Sequence, residues 1–150
     1  MSVEDRVKQR IRSPKEAAFI GLLVAAAHVE QQLEAVCQAH GLTHTQYNLL
    51  RILRGVHPEG HPRFEIANRL IVRAPDVTRL IDRLERQGFV ERGWDSQNRR
   101  RSIARITKTG LDLLRVLDPK LNRIRDATLA RLSDEQLTQL TRAFDSMVTG

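Results

Sequence analysis

The chain has 150 residues, 41 % of them apolar and 29 % charged, which suits one domain with its own core or one compact domain carrying extra helices. Its single cysteine, Cys37, excludes an internal disulfide framework and a cysteine-rich zinc site, and no apolar run approaches the ~18 residues of a membrane span. The net charge of +7 is uneven: residues 63–108 hold 12 basic and 6 acidic side chains, against 13 and 12 in the other 104 positions. A local excess of that sign fits a polyanion, nucleic acid first, with a solvated basic face as the bland alternative. The apolar stretch 22–29 follows a charged leader without a cleavage site, so the expected setting is reducing and cytoplasmic, with no membrane partner.

Residues 1–12 are polar and weakly patterned, a loose arm or a short helix. Ser13-Pro14-Lys15-Glu16 is a helix start, with a capping hydroxyl, a proline for the first turn and a carboxylate three positions on. A long helix is predicted from there to about Ala39, stopped by His40-Gly41. Phe19, Leu22, Ala26, Val29, Leu33 and Val36 recur in it at alternating spacings of three and four, a heptad-like stripe. Thr43-His44-Thr45-Gln46 repeats the capping pattern and opens a second helix ending at Gly55.

Pro58, Gly60 and Pro62 mark 56–62 as a loop. A short helix is predicted over 63–70, burying Phe64, Ile66, Ala67 and Leu70, followed by a turn at 71–74. Pro75 is expected to start the next helix, which runs to about Gln87 and stops at Gly88. Val77, Leu80, Ile81 and Leu84 form its inward face. The opposite face carries Pro75, Arg79, Asp82 and Arg86, flanked by Thr78 and Arg83. Segments 89–92 and 103–106 read as short strands, joined by a polar tip that contains Arg99-Arg100-Arg101. From about Thr109, Leu111, Leu114, Leu117, Leu121, Ile124 and Thr128 keep helical spacing across Pro119, which is expected to kink or interrupt the helix. Ser133-Asp134-Glu135-Gln136 caps a last helix bearing Leu137, Leu140, Phe144 and Met147.

This order describes a mainly α chain with a small β-hairpin wing, a winged helix-turn-helix flanked by terminal helices. A helix fits the major groove of B-DNA, and the hairpin tip can reach phosphates or the neighbouring minor groove. The helix led by Pro75 is the expected reader, with Pro75, Asp76, Thr78 and Arg79 towards base edges and Asp82, Arg83 and Arg86 on the same surface. Arg79 is the strongest single candidate, because a guanidinium can bind guanine through two hydrogen bonds. Arg69, Arg73, Arg83 and Arg86 suit phosphates, as do Arg99, Arg100 and Arg101 on the wing. Asp82 and Glu85 are also within helical reach of Arg79 and Arg86, as ordinary surface pairs.

Three segments carry a family resemblance. Thr43-His44-Thr45-Gln46-Tyr47-Asn48-Leu49-Leu50-Arg51-Ile52-Leu53, the run 77–92 from Val77-Thr78-Arg79-Leu80-Ile81-Asp82 to Gly88-Phe89-Val90-Glu91-Arg92, and Ile106-Thr107-Lys108-Thr109-Gly110 together resemble MarR-type transcriptional regulators over nearly the whole chain. The resemblance implies one domain over 1–150, with dimerisation helices at 13–40 and 109–148 around a DNA-reading region at 43–108. It implies a homodimer on a palindromic double-stranded DNA operator, acting as a repressor. It also implies a small aromatic or phenolic ligand between the dimerisation helices and the winged region, for which His44, Tyr47 and Arg51 are the candidate lining.

The wing departs from the family pattern: Asp95 and Arg100 match a brace across the hairpin base, but Gln97 and Asn98 replace an arginine and an aspartate. Arg99 or Arg101 could take over minor-groove insertion. Physical reasoning supports the dimer as well, because a winged region of ~65 residues cannot cover both apolar stripes. Phe19, Leu22, Leu121, Ile124, Leu137, Leu140 and Phe144 are the expected interface, with a helical cap on a monomer as the alternative.

Other chemistry is thinly signalled. His57-Pro58-Glu59-Gly60-His61, with His40 and His44 nearby, invites a metal, but the proline and glycine imply a loop rather than paired ligands on one helix face, so no metal is expected. Cys37 could sense oxidants only if its thiol were exposed and acidified. No phosphate loop, nucleophile elbow or zinc-protease motif is present, so neither enzyme activity nor a cofactor is expected. A winged-helix module that binds protein, or a regulator gated by oxidation or metal, remains the alternative function.

Overall fold

The computed structural model describes residues 2, 3, 5 and 13–149; the rest of the expected N-terminal arm lies outside the described residues. Among residues 13–149 six helices and one hairpin follow in order: α1 (Pro14–Gln38), α2 (His44–Arg54), α3 (Arg63–Arg69), α4 (Val77–Arg86), β1 (Val90–Trp94), β2 (Ser102–Ile106), α5 (Lys108–Leu129) and α6 (Asp134–Val148).

Local chemistry explains most of the boundaries. Ser13 accepts a hydrogen bond from the Glu16 amide at the start of α1. Thr43 with Gln46, and Ser133 with Gln136, form reciprocal capping boxes that satisfy two amides each at α2 and α6. Thr107 caps α5 by accepting from the Gly110 amide, and its hydroxyl donates to the Gly88 carbonyl at 2.7 Å. The residue that starts α5 thus also holds the end of α4. Gly88 has φ +82°, the left-handed turn that lets the chain leave α4 for β1.

The core lies where α2, α3, α4, the hairpin and the first half of α5 meet. Leu49, Leu50, Leu53, Ile66, Leu84, Leu114 and Leu117 are fully buried there. The strands pair antiparallel, with Val90 opposite Ile106 and Trp94 opposite Ser102. An isolated antiparallel bridge joins His61 to β2, its amide and carbonyl both bonding Ala104 at 3.0 and 2.9 Å. Gly60 permits that approach, since a Cβ there would fall on the Ala104 carbonyl. The sequence reading has only a loop at this place, because pairing with a strand 43 positions later leaves no local periodicity.

Several expectations are corrected. α4 begins at Val77, not Pro75: Asp76 takes the capping position, accepting from the Arg79 amide at 3.0 Å, and Pro75 stands outside the helix. Phe64 is half exposed, and its ring lies 5.2 Å from the Arg101 guanidinium carbon. The strands extend to Trp94 and from Ser102, because the Asp95 amide bonds the Arg101 carbonyl and closes the hairpin there. α5 runs through Pro119 without interruption. Proline removes one backbone bond, but Leu117 and Leu121 hold the helix to the core on either side.

One polar contact ties the winged region to α5. Tyr47 on α2 donates to Asp118 at 2.5 Å, and Arg54 pairs with the same carboxylate. Burial pushes the Asp118 carboxyl up, but the hydrogen bonds from Tyr47 and Arg54 and the charges of Arg54 and Arg51 outweigh it, leaving it below its ordinary value. Burial, then the bond to Asp118, pushes the Tyr47 phenol up, so it stays a donor. A lowered folded-state value means that Asp118 stabilises the fold above about pH 3.8 and loses that contribution as pH falls through the lower folded value. In thermal melts, Asp118→Asn is therefore expected to lie below the unmodified protein near neutrality, and the gap should close in acid; a gap constant down to pH 2 would contradict the charge-dependent clasp.

Candidate nucleic-acid interface

The face available for a polyanion is set by what α4 buries. Val77, Ile81 and Leu84 are 8, 5 and 0 % exposed and pin the helix to the core. At about 100° per residue, Arg79 and Arg86 then point away from that core, with Asp82 and Thr78 on one side and Arg83 on the other. Arg79 is open, its side chain 84 % exposed, with a 3.7 Å contact to the capping Asp76. Arg83 and Arg86 are exposed and form no ion pair among the described residues.

Asp82 does not pair along its own helix. It accepts from Arg92 on β1, which also approaches Glu85 at 3.6 Å. Arg92 therefore clamps the hairpin to α4 and offsets part of the negative charge of two carboxylates that would repel DNA. The sequence reading omits Arg92, although its alternation with the buried Val90 places both on one face of the strand. Arg63 is the second omission: its Nη1 donates to Thr78 Oγ1 at 3.0 Å.

The remaining phosphate candidates divide into tethered and open groups. Arg69 lies 3.3 Å from Glu65, one helical turn away. Arg101 sits 3.9 Å from Asp95 and over the Phe64 ring, so the brace at the hairpin base uses Arg101 rather than the expected Arg100. Arg73, Arg99 and Arg100 are exposed with no side-chain ion pair among the described residues. The tip itself is ordered by the Gln97 and Arg100 amides, which donate to Asp95 and Asn98 side chains at 2.9 and 3.2 Å. Trp94, the chain's single tryptophan, stands 62 % exposed at the end of β1.

The expected dimer residues are mostly open in the isolated chain. Phe19, Leu22 and Phe144 are exposed, and Ile124, Leu137 and Leu140 are half-buried. Leu121 is the exception: at 6 % exposure it belongs to the protomer's own core, because the inward stripe of α5 continues one turn past Leu117.

The three expected ligand residues line no common cavity. His44 Nδ1 lies 2.8 Å from Glu30, and Tyr47 is 3 % exposed with its hydroxyl on Asp118. Arg51 faces a cleft of about 410 Å³ with Asn48, Ile52, Arg54 and Ile71. The three are instead stacked along one face of α2, with the His44 and Arg51 groups 6.3 and 5.9 Å from the Tyr47 ring centroid.

Cys37 is fully buried, and that burial, with Glu34 and Glu30 nearby, pushes its thiol up to about 11, the opposite of what an oxidant sensor needs. Among the described residues no three His, Cys, Asp or Glu side chains gather as a metal would require, and His57 stands exposed in its loop.

Against this geometry, known proteins are informative. The family model described as "MarR family" matches residues 42–102. The homoprotocatechuate degradative operon repressor of Escherichia coli is 24 % identical, over 89 % of this chain and 88 % of its own. A MarR transcription factor from Planctomyces limnophilus is 36 % identical and superposes with a TM-score of 0.69 over 91 % of this chain and 98 % of its own. Sco3205 of Streptomyces coelicolor, solved in complex with DNA, is 23 % identical with a TM-score of 0.82, over 93 and 89 % of the two chains.

If the open wing arginines meet phosphate, Arg99→Ala and Arg100→Ala should each weaken binding to every duplex alike and lower the slope of log K against log salt by about 0.9. Titrations at several salt concentrations measure this, and slopes unchanged in the double variant would remove the wing from the interface.

Proposed function

The chain belongs to the MarR family and is a DNA-binding transcriptional regulator; from that premise we propose that it works as a homodimeric repressor on a palindromic operator. In this reading each protomer lays α4 into the major groove. Thr78, Arg79, Asp82, Arg83 and Arg86 lie along the groove, with Arg79 reading a base edge. Arg69, Arg73 and the wing arginines Arg99 and Arg100 hold phosphates, and Arg101 keeps the tip in place. The carrying observation is that α4 buries one face while its other face keeps Arg79, Arg83 and Arg86 open.

Two copies follow from the apolar surface. Phe19, Leu22 and Leu23 on α1 and Phe144, Met147 and Val148 on α6 are all more than a third exposed, and α6 has no buried residue. Leaving such surface in water is unfavourable, and a second copy of the same helices covers it by symmetry. Dimerisation also sets the spacing of the two α4 helices, which one turn of DNA requires to be about 34–36 Å. We place the protein in the cytoplasm with its operator; among the described residues no helix is long and apolar enough to cross a membrane.

Repression is supported by the name of the Escherichia coli relative, whose operon is named for a phenolic acid. A ligand of that class would approach Arg51, the one expected ligand residue that faces open space. It would release DNA by favouring a dimer whose α4 helices no longer match the groove spacing.

Two measurements test the reading. On DNA from upstream of its own gene, Arg79→Ala is expected to cost about 1–3 kcal/mol of discrimination against competitor duplex while retaining salt-sensitive non-specific binding. Full retention of sequence preference would move the reading role elsewhere, and absence of any DNA binding by the unmodified protein would favour a protein-binding winged helix. In sedimentation, the unmodified protein should show twice its 17.2 kDa chain mass and Phe19→Asp with Phe144→Asp a shift to monomer; a monomeric unmodified protein contradicts the dimer.

A further inference from the structure

Arg63 opens α3, fifteen positions before Thr78, and the two meet across the space between α3 and α4. They border a cleft of about 200 Å³ backed by Ile81, Arg92 and Ile103. Thr78 lies in the first turn of α4 on its hairpin side, the side on which Arg92 holds Asp82. The pair is therefore fixed from three directions: by the core beneath Ile81, by the Arg92 clamp and by the start of α3.

A guanidinium carries five N–H donors and no acceptor, whereas a threonine hydroxyl can either donate or accept. Facing Arg63, the Thr78 oxygen accepts, and its proton must point elsewhere. The hydroxyl has no other hydrogen bond among the described residues. The neighbouring positive charge polarises the O–H bond outward and disfavours the approach of another N–H donor. One of its two acceptor sites is taken and its proton is aimed outward, so the side chain is biased towards donation.

We propose that Arg63 tunes specificity through Thr78, biasing that hydroxyl towards donation so that α4 prefers base edges presenting an acceptor. In the major groove these acceptors are N7 and O6 of guanine, N7 of adenine and O4 of thymine, in contrast to the amino groups of cytosine and adenine. The inference rests on the reading of α4 as the groove helix. It adds to that helix a positioning residue from the preceding one, which touches the DNA through Thr78 rather than directly.

The test starts with the unmodified full chain, which selects its preferred duplex from a randomised pool. Affinities for single-base variants of that duplex are then measured with Arg63→Ala, Arg63→Lys, Arg63→Gln, Thr78→Val and the Arg63→Ala/Thr78→Val pair. Arg63→Ala is expected to reduce discrimination about 2- to 12-fold, the worth of one hydrogen bond, at the same base pair that Thr78→Val affects. It should add nothing in the Thr78→Val background. Arg63→Lys, a donor without an acceptor, should keep the preference. Arg63→Gln, whose carbonyl can take the Thr78 proton, should shift it towards bases presenting an amino group. An equal loss for every duplex, with the salt slope reduced by about 0.9, would make Arg63 a phosphate contact and overturn the proposal; so would discrimination that Arg63→Ala and Arg63→Gln both leave unchanged. Failure of the unmodified protein to select any sequence would refute the groove reading itself, and it would be seen before any substitution is made.

Discussion

An isolated ten-residue helix does not hold its shape in water, and α4 is ten residues long. It can act as a rod only because one side is sunk into the core through Val77, Ile81 and Leu84 and both ends are tied. Asp76 caps its first turn, and the Thr107 hydroxyl holds the Gly88 carbonyl just past its last. Burial of three side chains thereby fixes which arginines face outward, and every functional argument for this chain starts from that orientation.

The same constraint accounts for five of the six acidic residues in the basic segment, all but the exposed Glu91. Glu65 meets Arg69, Asp76 caps α4, Asp82 and Glu85 meet Arg92, and Asp95 meets Arg101. These five carboxylates are thus engaged within or between α3, α4 and the hairpin. What is left over is mostly cationic: Arg83 and Arg86 on α4, Arg73 before it, and Arg99 and Arg100 on the tip, against Glu91 alone. A surface read only by net charge would treat these acids as dilution, whereas here they decide which arginines are free to meet phosphate.

Burial also divides α5 into two functions. Its first half, through Leu114 and Leu117, belongs to the winged core, and Asp118 is clasped there by Tyr47 and Arg54. Beyond Leu121 the side chains open, and α6 adds no buried residue. A second protomer that covers the outer half would therefore be linked rigidly to the reading helix through one continuous helix. Displacement of the outer half by a ligand would be felt at α4, which is the mechanical basis for a small molecule to alter DNA spacing.

The helices and most of their approximate limits were legible in the sequence, because capping hydroxyls, stop glycines and apolar spacing act between residues a few positions apart; the caps of α4 and α5 were not. Ser13, Thr43 and Ser133 cap helices as their motifs indicate, and Ile81 and Leu84 face inward as their spacing requires. The basic concentration between residues 63 and 108, and with it the class of partner, was equally visible. The tertiary structure alone decided which charged and polar groups meet: Arg63 with Thr78 fifteen positions apart, Arg92 with Asp82, Arg101 rather than Arg100 with Asp95, and Tyr47 with Asp118 at a separation of 71. It alone placed His61 beside Ala104, sealed Cys37 and drew Leu121 inward. Such contacts join segments distant along the chain, and their geometry is set by how layers pack, for which a linear pattern of residue types carries no signal.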